Sequence, residues 1–203
     1  MIKNKKSVNN YNYSKMNGER TMAKKKLVWY PGAMYHVTSR GNRRSDIFKE
    51  KEDYLIYLDV VKEALEYYKN SYEVIAYTLM TNHVHLQIKT KDNHIWHLMS
   101  RINKNYARNF NNKYNFVGHV FQSRYNGEII ESDEYVLEAS RYIHLNPVRA
   151  NMVEAAGNYP WSSYSVYIGK KKESFIQSEI LLSYFSGDRE KSYRNYVEGE
   201  TYH

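Results

Sequence analysis

The chain contains no cysteine and only three prolines among its 203 residues. The lack of cysteine excludes a disulfide framework, zinc sites built on thiolates, iron–sulfur clusters and thiolate nucleophiles. No apolar run approaches the roughly 18 residues that a membrane-spanning helix needs. No apolar segment near the first residue resembles a secretory signal. These absences predict a protein of the reducing cytoplasm with no membrane partner.

Positive charge is concentrated at the beginning of the chain. The formal net charge is +8, and residues 1–26 carry +7 of it, with eight Lys and Arg side chains and one Glu. This composition predicts a disordered basic arm over residues 1–26. Met22 is an alternative start, because the stretch before it has no core pattern. The charge favours a polyanionic partner but belongs mainly to the arm.

Hydrophobic periodicity after the arm predicts strands and helices in a fixed order. The strands are expected over 34–40, 72–80 and 83–89 and within 118–131, and the helices over 50–68, over 94–114 and from 133 onward. Because Pro147 disfavours a helical residue before it, the last of these helices is expected to end or kink at Asn146. Residues 160–168 are expected to form a packed closing segment, and residues 176–185 an accessory helix.

The order strand, helix, strand, strand, helix, strand is that of a ferredoxin-like, or RRM-like, fold. We therefore expect an α+β protein whose four-stranded antiparallel sheet carries helices on one face. The other face stays available for a ligand or for the last helix. The folded domain is placed at residues 27–168, and residues 169–203 are expected to be a C-terminal accessory segment.

Two histidines, His83 and His85, form the first candidate site. Residues two apart on a strand point to the same face, with Cα atoms roughly 6.5 Å apart. Two imidazoles at that spacing suit one divalent cation, and without cysteine ligands they leave coordination positions open for catalysis. Exposed polar residues on a half-buried strand would produce the same pattern, so the spacing leaves both interpretations open.

Tyr142 and Asn146 form the second candidate, four residues apart on one face of a helix. The Asn146 amide oxygen is a competent ligand for a hard metal, and a tyrosine one turn away would meet a phosphate bound to that metal. The alternative is that Tyr142 packs in the core and Asn146 ends the helix before Pro147.

A basic and aromatic region forms the third candidate. Residues 94–128 contain five basic side chains and one acid, and interleaved aromatics are suited to stacking on unpaired bases. A solvated helix face is the alternative interpretation. The residues predicted to contact DNA are Arg40, Arg43, Arg101, Lys104, Arg108 and Arg124.

Five segments in consistent order resemble the single-tyrosine transposases of the HUH superfamily, most closely the branch of REP-associated tyrosine transposases. The resemblance covers about residues 27–168, which makes it more specific than any one motif. The segments are YPGAMYHVTSRGN (30–42), AYTLMTNHVHLQI (76–88), RNFNNKYNFVGHVFQSRY (108–125), RYIHLNPVRANMV (141–153) and YPWSSY (159–164).

The resemblance implies a set of roles for the candidate residues. His83, His85 and Asn146 would bind Mg²⁺ or Mn²⁺, and Tyr142 would be the nucleophile. Tyr106 is the runner-up nucleophile, because it also lies on a helix but has Phe110 four residues later. The implied partner is single-stranded or hairpin DNA, and the implied location is the cytoplasm, at the nucleoid when DNA is bound. A homodimer that exchanges tyrosine helices is compatible with the superfamily, and the sequence does not decide it.

Three functions therefore compete. The favoured one is a metal-dependent nuclease and strand transferase that forms a 5′-phosphotyrosine intermediate. The second is a module of the same fold that binds hairpin DNA or RNA without cutting it. The third is a metal-dependent phosphohydrolase that uses bound water as its nucleophile.

Overall fold

A computed structural model of the protein describes residues 27–69 and 71–199. The basic arm predicted for residues 1–26 lies outside the described residues. The strands are β1 (Met34–Arg40), β2 (Tyr72–Met80), β3 (His83–Thr90) and β4 (Asn126–Ile130), and the helices are α1 (Lys51–Tyr67), α2 (Ile95–Tyr114), α3 (Asp133–Arg149), α4 (Tyr164–Tyr167), α5 (Ser178–Leu182) and α6 (Arg189–Glu198). None of the described helices is long and apolar enough to cross a membrane.

The four strands form one antiparallel sheet in the order β2-β3-β1-β4. This is the strand order of the ferredoxin-like fold, so the predicted α+β class is confirmed. Because β1 lies at the centre beside β3, residues far apart in sequence become neighbours, and Thr38 pairs with His85. The sheet therefore brings two polar segments of the sequence to one place.

The two faces of the sheet are covered by different helices. Val37 on β1 and Leu86 on β3 are buried beneath the antiparallel pair α1 and α2, and Asn103 of α2 donates to Ser39 on this face. Helix α3 lies on the opposite face, where Gln87 of β3 donates to the carbonyl of Val136. Helix α3, the third predicted helix, thus occupies the face of the sheet that was expected to be available for it.

Helix α3 passes through Pro147 and ends at Arg149, so the expected end at Asn146 is wrong. Pro147 has no amide hydrogen, and the carbonyl of Ile143, four residues earlier, therefore loses its partner within the helix. The Thr78 hydroxyl of β2 donates to this carbonyl over 2.8 Å. A contact with the sheet replaces the missing hydrogen bond, and the helix continues.

The segment after α3 closes the free edge of the sheet and then packs against α3. The amide of Leu79 donates to the carbonyl of Trp161, and the amide of Ser163 donates to the carbonyl of Tyr77. These bonds cover the outer edge of β2, as a packed closing segment should. The accessory helix predicted over 176–185 corresponds to α5, whereas the periodicity missed α6.

Helix α6 is bound to the tyrosine-bearing helix by buried polar contacts. The His144 ring is fully buried between the Tyr193 hydroxyl and the Ser163 hydroxyl, each 2.8 Å from one ring nitrogen. Burial lowers the pKa of His144 to about 3, so the ring is neutral. The Arg141 guanidinium donates to the carbonyls of Tyr196 and Gly199 at the end of α6. The C-terminal segment therefore fixes α3 from the side opposite the sheet.

Replacing Thr78 by valine should destabilise the fold. Valine has nearly the shape of threonine, but the buried carbonyl of Ile143 would lose its donor, a loss worth about 1–3 kcal/mol. We expect urea denaturation of Thr78→Val to give a free energy of unfolding that is lower by this amount.

The matched control is Ser183→Ala, because the Ser183 hydroxyl donates to the carbonyl of Ile180 at an exposed position. Its free energy of unfolding should stay within about 0.5 kcal/mol of wild type. Equal urea midpoints for wild type and Thr78→Val would contradict the role of Thr78 in holding α3.

Candidate active site

His83 lies at the start of β3, half-buried beneath α3. Its Nδ1 is 2.6 Å from the side-chain oxygen of Asn82, one of the two residues that connect β2 to β3. An amide oxygen only accepts, so Nδ1 of His83 carries the proton and donates it to Asn82. The Nε2 atom of His83 is therefore left with a lone pair.

His85 is 5% exposed and is held at both ring nitrogens. Its Nδ1 is 2.9 Å from Nε2 of His36 and 3.3 Å from the Thr38 hydroxyl, both on the neighbouring strand β1. Its Nε2 is 3.3 Å from the side-chain nitrogen (Nδ2) of Asn146 on α3, which can only donate. His85 thus bridges the sheet and the helix that carries the candidate nucleophile.

Both histidines of β3 are neutral bases near pH 7. Burial, together with the positive charge of Arg40, lowers the pKa of His83 to about 4, although a hydrogen bond with Asn146 opposes the shift. Burial and the neighbouring His36, His83 and Arg40 hold the pKa of His85 well below its usual range. Neutral imidazole is the form that binds a metal ion.

Tyr142 on α3 faces the two imidazoles of the sheet. Its ring centroid is 5.5 Å from that of His85 and 5.7 Å from that of His36, each in an edge-on arrangement. The side chain is half-buried, so it is not sealed in the core. Within the described part of the chain its hydroxyl makes no hydrogen bond. The Arg149 guanidinium carbon lies 5.1 Å from the ring centroid.

The donor atoms around His85 suit a divalent cation. Imidazole nitrogens and an amide oxygen are ligands of the kind that Mg²⁺ and Mn²⁺ accept, and they leave positions open for phosphate oxygens. The Asn146 nitrogen faces Nε2 of His85, so rotation of the amide group would bring its oxygen to this place. Among residues 27–69 and 71–199, no group of three or more His, Asp and Glu side chains is arranged to hold a metal. A third protein ligand would therefore be the amide of Asn146.

A basic rim, defined as Arg40 and Arg43, lies beside His83. Arg40 ends β1 directly opposite His83 in the strand pairing and is exposed. Arg43 follows in an exposed turn that Asn82 holds by donating to the carbonyl of Arg44. Arg43 and Arg44 both have positive φ, 52° and 61°, a conformation that costs a non-glycine residue about 1–3 kcal/mol.

The other predicted DNA contacts lie away from the histidines. Arg101, Lys104 and Arg108 belong to α2, which covers the opposite face of the sheet. The guanidinium of Arg101 stacks 3.5 Å from the ring centroid of Tyr67, whereas Lys104 and Arg108 are exposed. Arg124 is exposed before β4, and its carbonyl accepts from Asn103 of α2.

Tyr106, the runner-up nucleophile, is a residue of α2 whose side chain lies in the core. It is 1% exposed and donates to the carbonyl of Ile47, and burial raises its pKa strongly. It therefore contacts neither His83 nor His85, which lie on the other face of the sheet.

His36 and Arg149 are two residues of the site that the sequence did not identify. Alternation along β1 places His36 on the face opposite Tyr35 and Val37, but only the pairing of β1 with β3 puts it against His85. Combining that alternation with the expected strand order could have predicted that His36 lies beside His85. Arg149 lies seven residues after Tyr142, on the same helical face, and could have been found by that spacing.

One family model and several solved structures match this chain. The family model described as "Transposase IS200 like" matches residues 30–146. No curated protein matches the chain.

Solved structures that align with this chain include the following three. The structure of a REP-associated tyrosine transposase bound to a REP hairpin aligns with a TM-score of 0.64 and 16% identity, over 77% of this chain and 98% of that chain. A candidate transposase from Deinococcus radiodurans R1 aligns with a TM-score of 0.42 and 17% identity, over 59% and 95%. The tRNA(His) guanylyltransferase of Saccharomyces cerevisiae aligns with a TM-score of 0.43 and 10% identity, over 88% and 76%.

The family match spans more than half of the chain and contains His83, His85, Tyr142 and Asn146. The first structural match supports the same fold over nearly all of the matched protein. The chain belongs to the IS200-like transposase family.

Proposed function

We propose that this transposase is a metal-dependent nuclease and strand transferase that acts on single-stranded or hairpin DNA through Tyr142. The observation that carries the proposal is the convergence of strand β3 and helix α3. The Tyr142 ring lies edge-on to His85, and Asn146, one turn later, contacts the outer nitrogen of the same imidazole.

His83, His85 and Asn146 would hold Mg²⁺ or Mn²⁺ in this site. The bound cation would withdraw charge from a phosphate oxygen and so favour attack at phosphorus. The protein contributes two neutral imidazoles whose inner nitrogens are already hydrogen-bonded, which fixes the planes of both rings. A metal at Nε2 of His85 would replace the contact of this atom with the Asn146 nitrogen.

Tyr142 supplies the nucleophile in the proposed reaction. Its oxygen forms a bond to the phosphorus and loses its proton, while the bond from phosphorus to the 3′ oxygen breaks and that oxygen takes up a proton. The products are a 5′-phosphotyrosyl DNA and a free 3′-OH. Because the phosphotyrosine keeps the energy of the phosphodiester, a 3′-OH can reverse the step and join a new end without ATP.

The basic rim is the proposed contact for the DNA strand nearest the site. Arg40 and Arg43 are exposed beside His83, and residues held in costly backbone conformations are concentrated at functional sites. The structural relative bound to a REP hairpin supports a hairpin as the substrate class. A DNA-bound location at the nucleoid, inside the cytoplasm, follows from this function.

Replacement of Tyr142 by phenylalanine should abolish the covalent intermediate. The test incubates wild-type and Tyr142→Phe protein with a single-stranded hairpin oligonucleotide and Mn²⁺, then separates the products under denaturing conditions. We expect a protein–DNA adduct with wild type and a loss of at least about 1,000-fold in its rate with Tyr142→Phe, because no other described tyrosine lies against His85.

The matched control is Tyr184→Phe, which removes an exposed hydroxyl bonded to Asp133 and should keep adduct formation at the wild-type rate. The free energy of unfolding of Tyr142→Phe should also stay within about 0.5 kcal/mol of wild type, because the Tyr142 hydroxyl makes no hydrogen bond among the described residues. Formation of the adduct by Tyr142→Phe at a rate near that of wild type would refute the proposed nucleophile. Hairpin binding without an adduct from wild type would favour the binding module, and free 5′-phosphate ends without an adduct would favour the hydrolase.

The contribution of the basic rim to DNA binding can be measured separately from that of the basic residues on α2. We expect Arg40→Gln/Arg43→Gln to weaken hairpin binding and to reduce the slope of log affinity against log salt by about two, because two phosphate contacts would be lost. Fluorescence anisotropy of a labelled hairpin without metal measures both quantities.

The comparison variant is Lys104→Gln/Arg108→Gln on α2, which removes the same charge from the opposite face of the sheet. If these residues also contact DNA, as the sequence predicts, the salt slope falls for both pairs. If only the α2 pair weakens binding, the strand does not cross the site along Arg40 and Arg43, and that part of the proposal is wrong.

A further inference from the structure

His36 lies between the candidate metal ligands and the candidate nucleophile. It is largely buried on the α3 face of β1, with its ring stacked on that of His85 at a centroid distance of 5.1 Å. The ring of Tyr142 meets it edge-on at 5.7 Å. Its Nε2 atom is 2.9 Å from Nδ1 of His85, which is hydrogen-bonding distance.

The hydrogen bond between the two rings needs a single proton, and the location of that proton matters for His85. If Nδ1 of His85 carries it, Nε2 of His85 keeps its lone pair and faces Asn146. If Nε2 of His36 carries it, a neutral His85 must hold its own proton on Nε2, and that nitrogen cannot bind a cation. The Asn146 nitrogen beside Nε2 of His85 can only donate, which favours the first arrangement, in which His36 is the acceptor.

We propose that His36 is a positioning residue that holds His85 as the Nδ1–H tautomer and fixes the plane of its ring for metal binding. The inference rests on the proposed function, because it concerns the same metal site. His36 accepts the Nδ1 proton of His85 at Nε2 and itself carries its proton on Nδ1. The Thr38 hydroxyl, 3.3 Å from the same Nδ1, is a weaker second partner.

His36 is not a third ligand in this arrangement. Its Nε2 atom points to the inner nitrogen of His85, whereas the cation would lie at the outer nitrogen beside Asn146. The contact is the kind that orients metal-binding histidines in other proteins, where loss of the outer partner typically weakens metal binding about 10- to 100-fold. His83 has the corresponding partner in Asn82.

Two substitutions at His36 distinguish hydrogen bonding from packing. His36→Gln keeps an oxygen that can accept from Nδ1 of His85, and His36→Leu fills the space without an acceptor. The protein is labelled with ¹⁵N-histidine, and long-range ¹H–¹⁵N spectra without metal identify the tautomer of His85. Electron paramagnetic resonance of free Mn²⁺ measures the dissociation constant of Mn²⁺ in the absence of DNA.

We expect wild type and His36→Gln to have His85 protonated on Nδ1, with Mn²⁺ dissociation constants within about threefold of each other. His36→Leu should gain the Nε2–H form of His85 and bind Mn²⁺ about 10- to 100-fold more weakly. The control is His97→Gln, a histidine on α2 beyond the opposite face of the sheet, which should match wild type in both measurements.

A spectrum of wild type that shows His85 protonated on Nε2 would overturn the inference. This measurement needs no variant, so it remains decisive even if His36→Leu fails to fold. Equal Mn²⁺ dissociation constants and equal His85 tautomers for wild type and folded His36→Leu would also overturn it. These readouts do not involve DNA cleavage. Failure of wild type to form a phosphotyrosyl adduct, with the expected tautomer and Mn²⁺ binding intact, would refute the proposed reaction and leave the role of His36 supported.

Discussion

The docking of helix α3 on the sheet is the constraint on which the site depends. It rests on the hydrogen bond from the Thr78 hydroxyl to the carbonyl of Ile143, which Pro147 leaves free. Ile143 lies between Tyr142 and Asn146 in sequence, and Thr78 lies opposite His85 in the sheet. Together with the bond from Gln87 to the carbonyl of Val136, this contact positions the candidate nucleophile and the candidate third ligand relative to the histidines.

Hydrogen bonds hold the rings of both histidines of the site in place before any metal binds. The imidazoles of His83 and His85 are neutral because burial disfavours their charged forms, and each inner nitrogen has a hydrogen-bond partner. On the far side of α3, His144 and Arg141 connect the helix to α6. The tyrosine-bearing helix is thus held between the sheet and the C-terminal segment of the same chain.

Local pattern was enough to predict the elements and the candidate pairs, because alternation and helical spacing are properties of neighbouring residues. Strand β2 matches its expected bounds, and His83 and His85 share the expected face. Contacts between distant segments were not predictable in this way. The place of His36 in the site follows only from the pairing of β1 with β3. The end of α3 was predicted too early because Thr78, far away in sequence, supplies the hydrogen bond that Pro147 removes. The stacking of Arg101, a predicted DNA contact, on Tyr67 of another helix was likewise not visible in the local pattern.

The proline in α3 has a consequence for how this helix tolerates change. A residue with an amide hydrogen at position 147 would add a donor from within the helix to the carbonyl oxygen of Ile143, which can accept two hydrogen bonds. The helix would then no longer depend on Thr78 to satisfy this buried oxygen. With proline there, the missing bond is made across the helix–sheet boundary, so the turn that carries Tyr142 and Asn146 is satisfied only while it stays docked on β2.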